Sequence, residues 1–127
     1  MQTFLPYPDF VKTAKLLDRQ RLGKQRVEAI QILRALNQES KGWQNHPATK
    51  MWQGYEYELA LYGLTVSVEF YERGYDGMNM VELFRQFMMK FSAQNTEHYP
   101  WWSQIPQFRL SHQSKLISKD PKFYGSL

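Results

Sequence analysis

The chain has 127 residues, the usual size of one compact domain, and 43% of them are hydrophobic, so a core can form without cross-links. It contains no cysteine, which excludes disulfides, thiolate zinc sites and cysteine nucleophiles. Residues 1–50 carry nine Lys or Arg and four Asp or Glu, residues 51–90 three and six, and residues 91–127 four and two. A basic face of this kind attracts phosphate backbones, although an ordinary basic protein accounts for the charge alone equally well.

No apolar run reaches 18 residues, and the start of the chain lacks the basic-then-apolar pattern of a signal peptide. Internal repeats and low-complexity tracts are also absent from the sequence. We therefore expect one domain over residues 1–127, cytoplasmic and without membrane contact.

The hydrophobic spacing predicts an all-α fold of four to five helices, with no alternating strand pattern. The first seven residues form an extended arm, and Pro8 suits the first position of a short helix that ends near Leu17. Asp18 is placed to cap a second helix over residues 19–37.

Pro47 begins the helix that we expect to be the longest, within residues 47–73, and Gly74 is a natural stop for it. Gly54 and Gly63 weaken this helix locally, or permit a close approach of another backbone. The remaining predicted elements are a turn over residues 75–77, a helix over 81–91 and a short helix over 107–119 that ends at Asp120–Pro121.

Four polar residues of the second helix, Arg21, Lys24, Gln25 and Glu28, recur at i, i+3, i+4 and i+7 and therefore share one face. Together with Arg19 at the helix start, they predict a carboxylate inside a phosphate-binding face, available where a sugar develops positive charge. The alternative is a solvated, salt-bridged face. Exposed ion pairs contribute only about 0–1 kcal/mol each, so folding does not require them.

His46 directly precedes Pro47, at a helix N-terminus whose dipole opposes a positive charge. We expect a neutral hydrogen-bonding group near phosphates or sugar; the alternative is a capping histidine. For the four tryptophans the default is core packing, with one available to stack on a base. They are Trp43, Trp52, Trp101 and Trp102.

Near the C-terminus, Lys115 and Lys119 lie four apart on one helix face and, with Gln113, are suited to holding a phosphodiester chain. Phe123–Tyr124 is placed to lie against an opened base pair. Solvated lysines are the alternative. Scattered histidines without an HExxH motif predict no metal, and the chain has no P-loop, dinucleotide fingerprint or nucleophile elbow, so we expect no cofactor.

Three stretches together resemble the pyrimidine-dimer DNA glycosylase/AP lyase family. They are residues 17–28, the His46 loop with the aromatic helix that ends at Arg73–Gly74, and residues 113–124. The resemblance implies a compact all-α domain whose terminal amine attacks the sugar anomeric carbon and forms an imine. It also implies that a carboxylate stabilises oxocarbenium-like charge and moves protons during β-elimination, which assigns Glu28 and the amine of Met1 as catalytic groups.

The chain departs from the family in its first residues. The family exposes a small residue after removal of the initiator methionine, whereas a bulky residue follows Met1 here and the arm is longer. A glycosylase without lyase activity, catalysis through Lys24 and a non-catalytic relative are therefore alternatives. The C-terminal aromatic segment is also shorter than in the family.

The predicted function is a DNA glycosylase with AP-lyase activity on a damaged or modified pyrimidine, such as a pyrimidine dimer, in duplex DNA. Duplex DNA containing the lesion is the expected partner, with no obligatory protein partner. Two alternatives come from other classes: a non-enzymatic nucleic-acid-binding module that uses the same basic face, and a helical interaction protein whose charge is incidental.

Overall fold

The computed structural model describes residues 3–39, 42, 44–94 and 101–127, without the side chains of Trp101 and Gln104. In these residues the fold is all-α, as predicted, and no strand occurs. The helices are α1 (Phe10–Leu16), α2 (Arg19–Leu36), α3 (Pro47–Trp52), α4 (Glu56–Glu72), α5 (Met78–Lys90), α6 (Pro106–Lys119) and α7 (Pro121–Tyr124). Short 3₁₀ turns cover Ser92–Gln94 and Trp101–Gln104. The seven α-helices of the described residues slightly exceed the four to five predicted, and two of them, α3 and α7, have only six and four residues.

The first two helices begin at aspartate caps. Asp9 accepts hydrogen bonds from the amides of Val11 (2.8 Å) and Lys12 (3.1 Å), so α1 begins after Asp9 and the predicted start at Pro8 is wrong. Asp18 caps α2 as predicted. A carboxylate cap accepts hydrogen bonds from amide groups at the helix start that have no partner within the helix. Proline has no side-chain acceptor and cannot do this.

The prediction that the longest helix lies within residues 47–73 is wrong. Residues 47–73 form two helices, and α2, with 18 residues, is longer than α4, with 17. The break occurs at Gly54, whose φ of +85° is incompatible with a right-handed helix. The Glu56 carboxylate accepts the Gly54 amide at 3.2 Å and so stabilises the turn between α3 and α4. Gly74, with a φ of +95°, ends α4 as predicted.

Helix α4 lies at the centre of the fold and packs against α1, α2 and α5. Gly63 allows the closest of these approaches, because a Cβ at this position would lie 2.2 Å from the ring of Phe84 on α5. Trp52 and Trp102 are buried in the core, as the default interpretation predicted, whereas Trp43 and the side chain of Trp101 lie outside the described residues.

The N-terminal arm has no helix over residues 3–8, yet the side chains of residues 3–6 are buried. The arm is therefore packed against the core, although it has no helix or strand hydrogen bonds of its own. Among the described residues, no helix is long and apolar enough to cross a membrane. The same residues contain no group of three or more His, Asp or Glu arranged to hold a metal ion.

Candidate active site

The polar face of α2 lines a cleft of about 320 Å³, here called the Glu28 cleft. Its lining residues are Phe4, Gln20, Arg21, Lys24, Gln25, Glu28 and Lys119. The prediction that four of the α2 residues share one face is confirmed. Tertiary structure adds Phe4 from the N-terminal arm and Lys119 from α6, so three cations and one carboxylate face the same space.

Glu28 is only 7% exposed, which separates it from the ordinary surface carboxylate of a solvated helix face. Its Oε2 accepts a hydrogen bond from Gln25 Nε2 at 3.1 Å, and Lys24 Nζ lies 4.0 Å from Oε1. The Lys24 side chain is 72% exposed, so this cation lies at the rim while the carboxylate lies deeper. The solvated-face alternative thus holds for Lys24 and is wrong for Glu28.

Gln25, predicted to bind DNA, is 1% exposed and has a different role in this structure. Its Oε1 accepts the Phe4 amide at 2.9 Å and lies 2.9 Å from the Tyr62 hydroxyl oxygen, while its Nε2 donates to Glu28. A buried amide engaged in this way presents no surface to a DNA backbone. Gln25 instead connects the carboxylate to the N-terminal arm.

Tyr62 of α4 is a component of the site that the sequence analysis did not select. Its hydroxyl lies 2.8 Å from the Phe4 carbonyl oxygen as well as 2.9 Å from Gln25 Oε1. Burial raises the pKa of Tyr62, and the negative charge of Glu28 raises it further, so the phenol keeps its proton and acts as a donor.

Arg21 is oriented at the cleft by Asp18, whose Oδ1 lies 3.2 Å from the guanidinium. Burial raises the pKa of Asp18, but hydrogen bonds from Tyr124 and Arg21 outweigh it, and the pKa lies below its usual value. The Tyr124 hydroxyl donates to Asp18 Oδ1 and accepts the Asp18 amide at 2.8 Å. The cap of α2 and the cation of the cleft are therefore one network.

Tyr124 is fully buried by this network, so its ring is not available to an opened base pair. The predicted DNA contact of Tyr124 is corrected to a structural role at the start of α2. Its neighbour Phe123 is 53% exposed and is the aromatic ring of this pair that faces solvent. Arg19 is also exposed, but its guanidinium lies 4.8 Å from the centre of the Tyr75 ring and does not line the Glu28 cleft. Its contact with DNA stays a prediction.

A second cleft of about 260 Å³, here called the His46 cleft, is lined by Thr3, His46, Pro47, Ala48, Met51, His112 and Lys115. His46 Nδ1 accepts the Ala48 amide at 3.1 Å, which makes His46 the cap of α3. This cap was the alternative interpretation of the sequence, and it places His46 in the same cleft as Lys115. Thr3 lines the His46 cleft and Phe4 lines the Glu28 cleft, so the arm contributes one residue to each cleft.

His112 is a further site residue that the sequence analysis did not select. It is 4% exposed, and its Nδ1 accepts the Leu5 amide at 2.7 Å. Burial, with the nearby charge of Lys115, lowers the pKa of His112 to about 4. Gln113, predicted to bind DNA, donates its Nε2 to the Pro6 carbonyl at 2.9 Å, so this amide nitrogen holds the arm. Met1 lies outside the described residues.

A family model described as pyrimidine dimer DNA glycosylase matches residues 1–83. The chain belongs to this family. The resemblance inferred from the motifs is thereby confirmed, and the family name points to a glycosylase that acts on DNA. The match covers the arm, the polar face of α2 and His46, but it ends before α6, which carries His112, Lys115 and Lys119. Comparison with curated proteins and with solved structures found no match.

Proposed function

We propose that this glycosylase also has AP-lyase activity and excises a damaged or modified pyrimidine, such as a pyrimidine dimer, from duplex DNA. The observation that carries the proposal is the buried carboxylate of Glu28 in a cleft with Arg21, Lys24 and Lys119. The cations bind phosphates on both sides of the reacting nucleotide. The carboxylate stabilises the positive charge that develops on the sugar when the bond to the base breaks.

The nucleophile in this proposal is the α-amine of Met1. Met1 precedes Thr3 by two residues, a span of at most about 7 Å of chain, and Thr3 and Phe4 line the two clefts. An α-amine has a pKa of about 7.7–8.0, against about 10.4 for a lysine, so a substantial neutral fraction exists at physiological pH. Attack at the anomeric carbon forms the carbon–nitrogen bond as the bond to the base breaks, and the base leaves with a proton.

Opening of the sugar ring then produces an imine. Glu28 accepts a proton from the adjacent sugar carbon, the electron pair expels the 3′-phosphate, and hydrolysis of the imine releases the enzyme. A second candidate nucleophile is Lys24, because its Nζ lies 4.0 Å from the Glu28 carboxylate. An ammonium this close to a carboxylate is also the arrangement of a simple ion pair, so chemistry must separate the two candidates.

Borohydride trapping on DNA that contains an abasic site or a pyrimidine dimer tests this proposal. We expect a covalent adduct with the wild-type protein, and peptide mapping should place it on Met1. A trapped adduct on Lys24 that disappears in Lys24→Ala would reassign the nucleophile and keep the lyase. Binding without trapping or cleavage on abasic, dimer-containing and modified-pyrimidine DNA would favour the non-enzymatic binding module.

A further inference from the structure

The N-terminal arm is held by side chains from several helices. The Phe4 amide donates to Gln25 of α2, and the Phe4 carbonyl accepts from Tyr62 of α4. The next amide, that of Leu5, donates to His112 of α6 at 2.7 Å. Consecutive backbone groups of an irregular segment are thus satisfied by buried side chains, which fixes the arm in one conformation.

Two further contacts continue the attachment on both sides of these residues. Trp52 Nε1 donates to Thr3 Oγ1 at 3.0 Å, and Gln113 Nε2 donates to the Pro6 carbonyl at 2.9 Å. The His112 ring also packs between aromatic rings, with centroids 5.9 Å from Phe4 and 4.2 Å from Phe108. Helix α6 therefore reaches the arm through His112 and Gln113, although it lies outside the residues that match the family.

Gln25 is the point at which the arm and the carboxylate meet. One end of its amide accepts from the Phe4 amide and lies beside the Tyr62 hydroxyl, and the other end donates to Glu28. Rotation of this amide would break the bonds to Phe4 and Glu28, because an oxygen would then face the Glu28 carboxylate and a nitrogen would face the Phe4 N–H. The position of the arm and the orientation of the Glu28 carboxylate are for this reason coupled.

We propose that Gln25 and His112 are positioning residues of the glycosylase: together they hold the N-terminal arm and the Glu28 carboxylate in one fixed geometry about the reacting sugar. This inference rests on the proposed function, since the arm carries the proposed nucleophile. His112 acts at a distance from Glu28, through Leu5 and Phe4. Helix α6 thereby contributes to the chemistry through His112, in addition to the phosphate contacts proposed for Lys115 and Lys119.

The test compares variants that differ in hydrogen-bonding capacity at the same position. His112→Leu removes the acceptor, whereas His112→Asn keeps an acceptor near the position of Nδ1. Gln25→Met keeps the size of the side chain and removes its hydrogen bonds. Thr65→Val is the matched control. This substitution removes one hydrogen bond, from the Thr65 hydroxyl to the Leu61 carbonyl on α4, and none of the bonds that hold the arm. Circular dichroism establishes folding at the assay temperature.

We expect the single-turnover cleavage rate at saturating lesion DNA to fall at least about 10-fold in His112→Leu and Gln25→Met, because misplacement of reacting groups lowers the rate steeply. The Kd for the same DNA should stay within about twofold, and His112→Asn should recover most of the rate. Thr65→Val should cleave like the wild type. Hydrogen exchange should show the Leu5 amide protected in the wild type and His112→Asn, and unprotected in His112→Leu.

Unchanged saturating rates in folded His112→Leu and Gln25→Met would overturn this inference and leave the proposed function intact. Equal losses in His112→Asn and His112→Leu would assign the effect to ring packing against Phe4 and Phe108, and would also overturn the positioning role. A wild-type protein with a protected Leu5 amide and no cleavage of any lesion would refute the proposed function, and the catalytic role of the two residues with it.

Discussion

The two clefts, each lined by one residue of the N-terminal arm, use their ionisable side chains in different ways. In the Glu28 cleft a buried carboxylate lies among three cations and accepts a hydrogen bond from the side chain of Gln25. In the His46 cleft both histidines accept backbone amides, from Ala48 and from Leu5, and the described lining residues include no carboxylate. This difference is consistent with the roles proposed above, in which the first cleft carries the chemistry and the second holds the arm and a phosphate.

The largest effect that this comparison predicts is at Glu28. Glu28→Gln keeps the size of the side chain but removes the charge that stabilises the sugar cation, so base excision and strand cleavage should fall by about 100-fold or more. Single-turnover assays on lesion DNA measure the rates. Glu82→Gln on α5, where the carboxylate is exposed, is the control and should be fully active. Comparable rates for Glu28→Gln and Glu82→Gln would show that Glu28 has no catalytic role.

In the His46 cleft the largest predicted effect is on the pH dependence of the free energy of unfolding. The folded pKa of His112 is about 4, against its usual 6.5, so between these values the unfolded chain binds a proton that the folded protein does not. We therefore expect the contribution of His112 to stability to be fully present above pH 6.5 and to be lost as the pH falls through 4, by about 3 kcal/mol in total. Lys115, which lines the same cleft, adds repulsion to a protonated His112.

Urea denaturation at pH 7, 5 and 4 measures this decrease. His112→Asn lacks the titrating ring and should lose stability less steeply over the same range, although it starts from a lower value at pH 7. The contribution of Asp18, whose pKa is lowered by its partners, is common to both proteins. Parallel curves for the wild type and the variant would show that His112 does not titrate in this way.

A smaller effect separates the cations of the two clefts. Neutralising Lys24 and Lys119 together should lower the slope of log affinity against log salt on duplex DNA by about 0.9 per lost phosphate contact, equally for all sequences. The single substitution Lys115→Ala should lower the same slope by about 0.9. Arg85→Gln on α5 removes an exposed cation away from both clefts and serves as the control. An unchanged slope in the folded double variant would show that Lys24 and Lys119 are solvated and do not contact phosphates.

The smallest predicted effect separates the two C-terminal aromatic residues. Tyr124→Phe removes the hydrogen bonds to Asp18 and should lower the free energy of unfolding by about 1 kcal/mol, with little change in DNA affinity. Phe123→Ala, at an exposed ring, should have the opposite pattern: unchanged stability and weaker binding. Weaker binding from Tyr124→Phe alone would restore the DNA contact that the burial of Tyr124 argues against.

Local sequence determined the features that depend on neighbouring residues. Helical spacing was enough to place Arg21, Lys24, Gln25 and Glu28 on one face, Asp18 was identifiable as a cap, and Gly74 as a stop, because each follows from backbone geometry over a few residues. The family, too, was recognisable from short stretches, of which residues 17–28 and the His46 loop with its following helix lie within the matched residues 1–83. The break at Gly54 was noted only as a weakness, since propensity does not reveal whether a glycine adopts a positive φ.

Tertiary structure alone decided which of these residues are buried and what they bond. Gln25 and Lys24 are adjacent in sequence, yet one is enclosed between Phe4, Tyr62 and Glu28 and the other extends to the rim of the cleft. The bonds from the arm to Tyr62 and His112 span 58 and 107 residues, and no local pattern encodes a pairing at that separation. The chain itself specifies a basic face with one carboxylate; packing of the arm against α2, α4 and α6 turns that face into a site with a defined geometry.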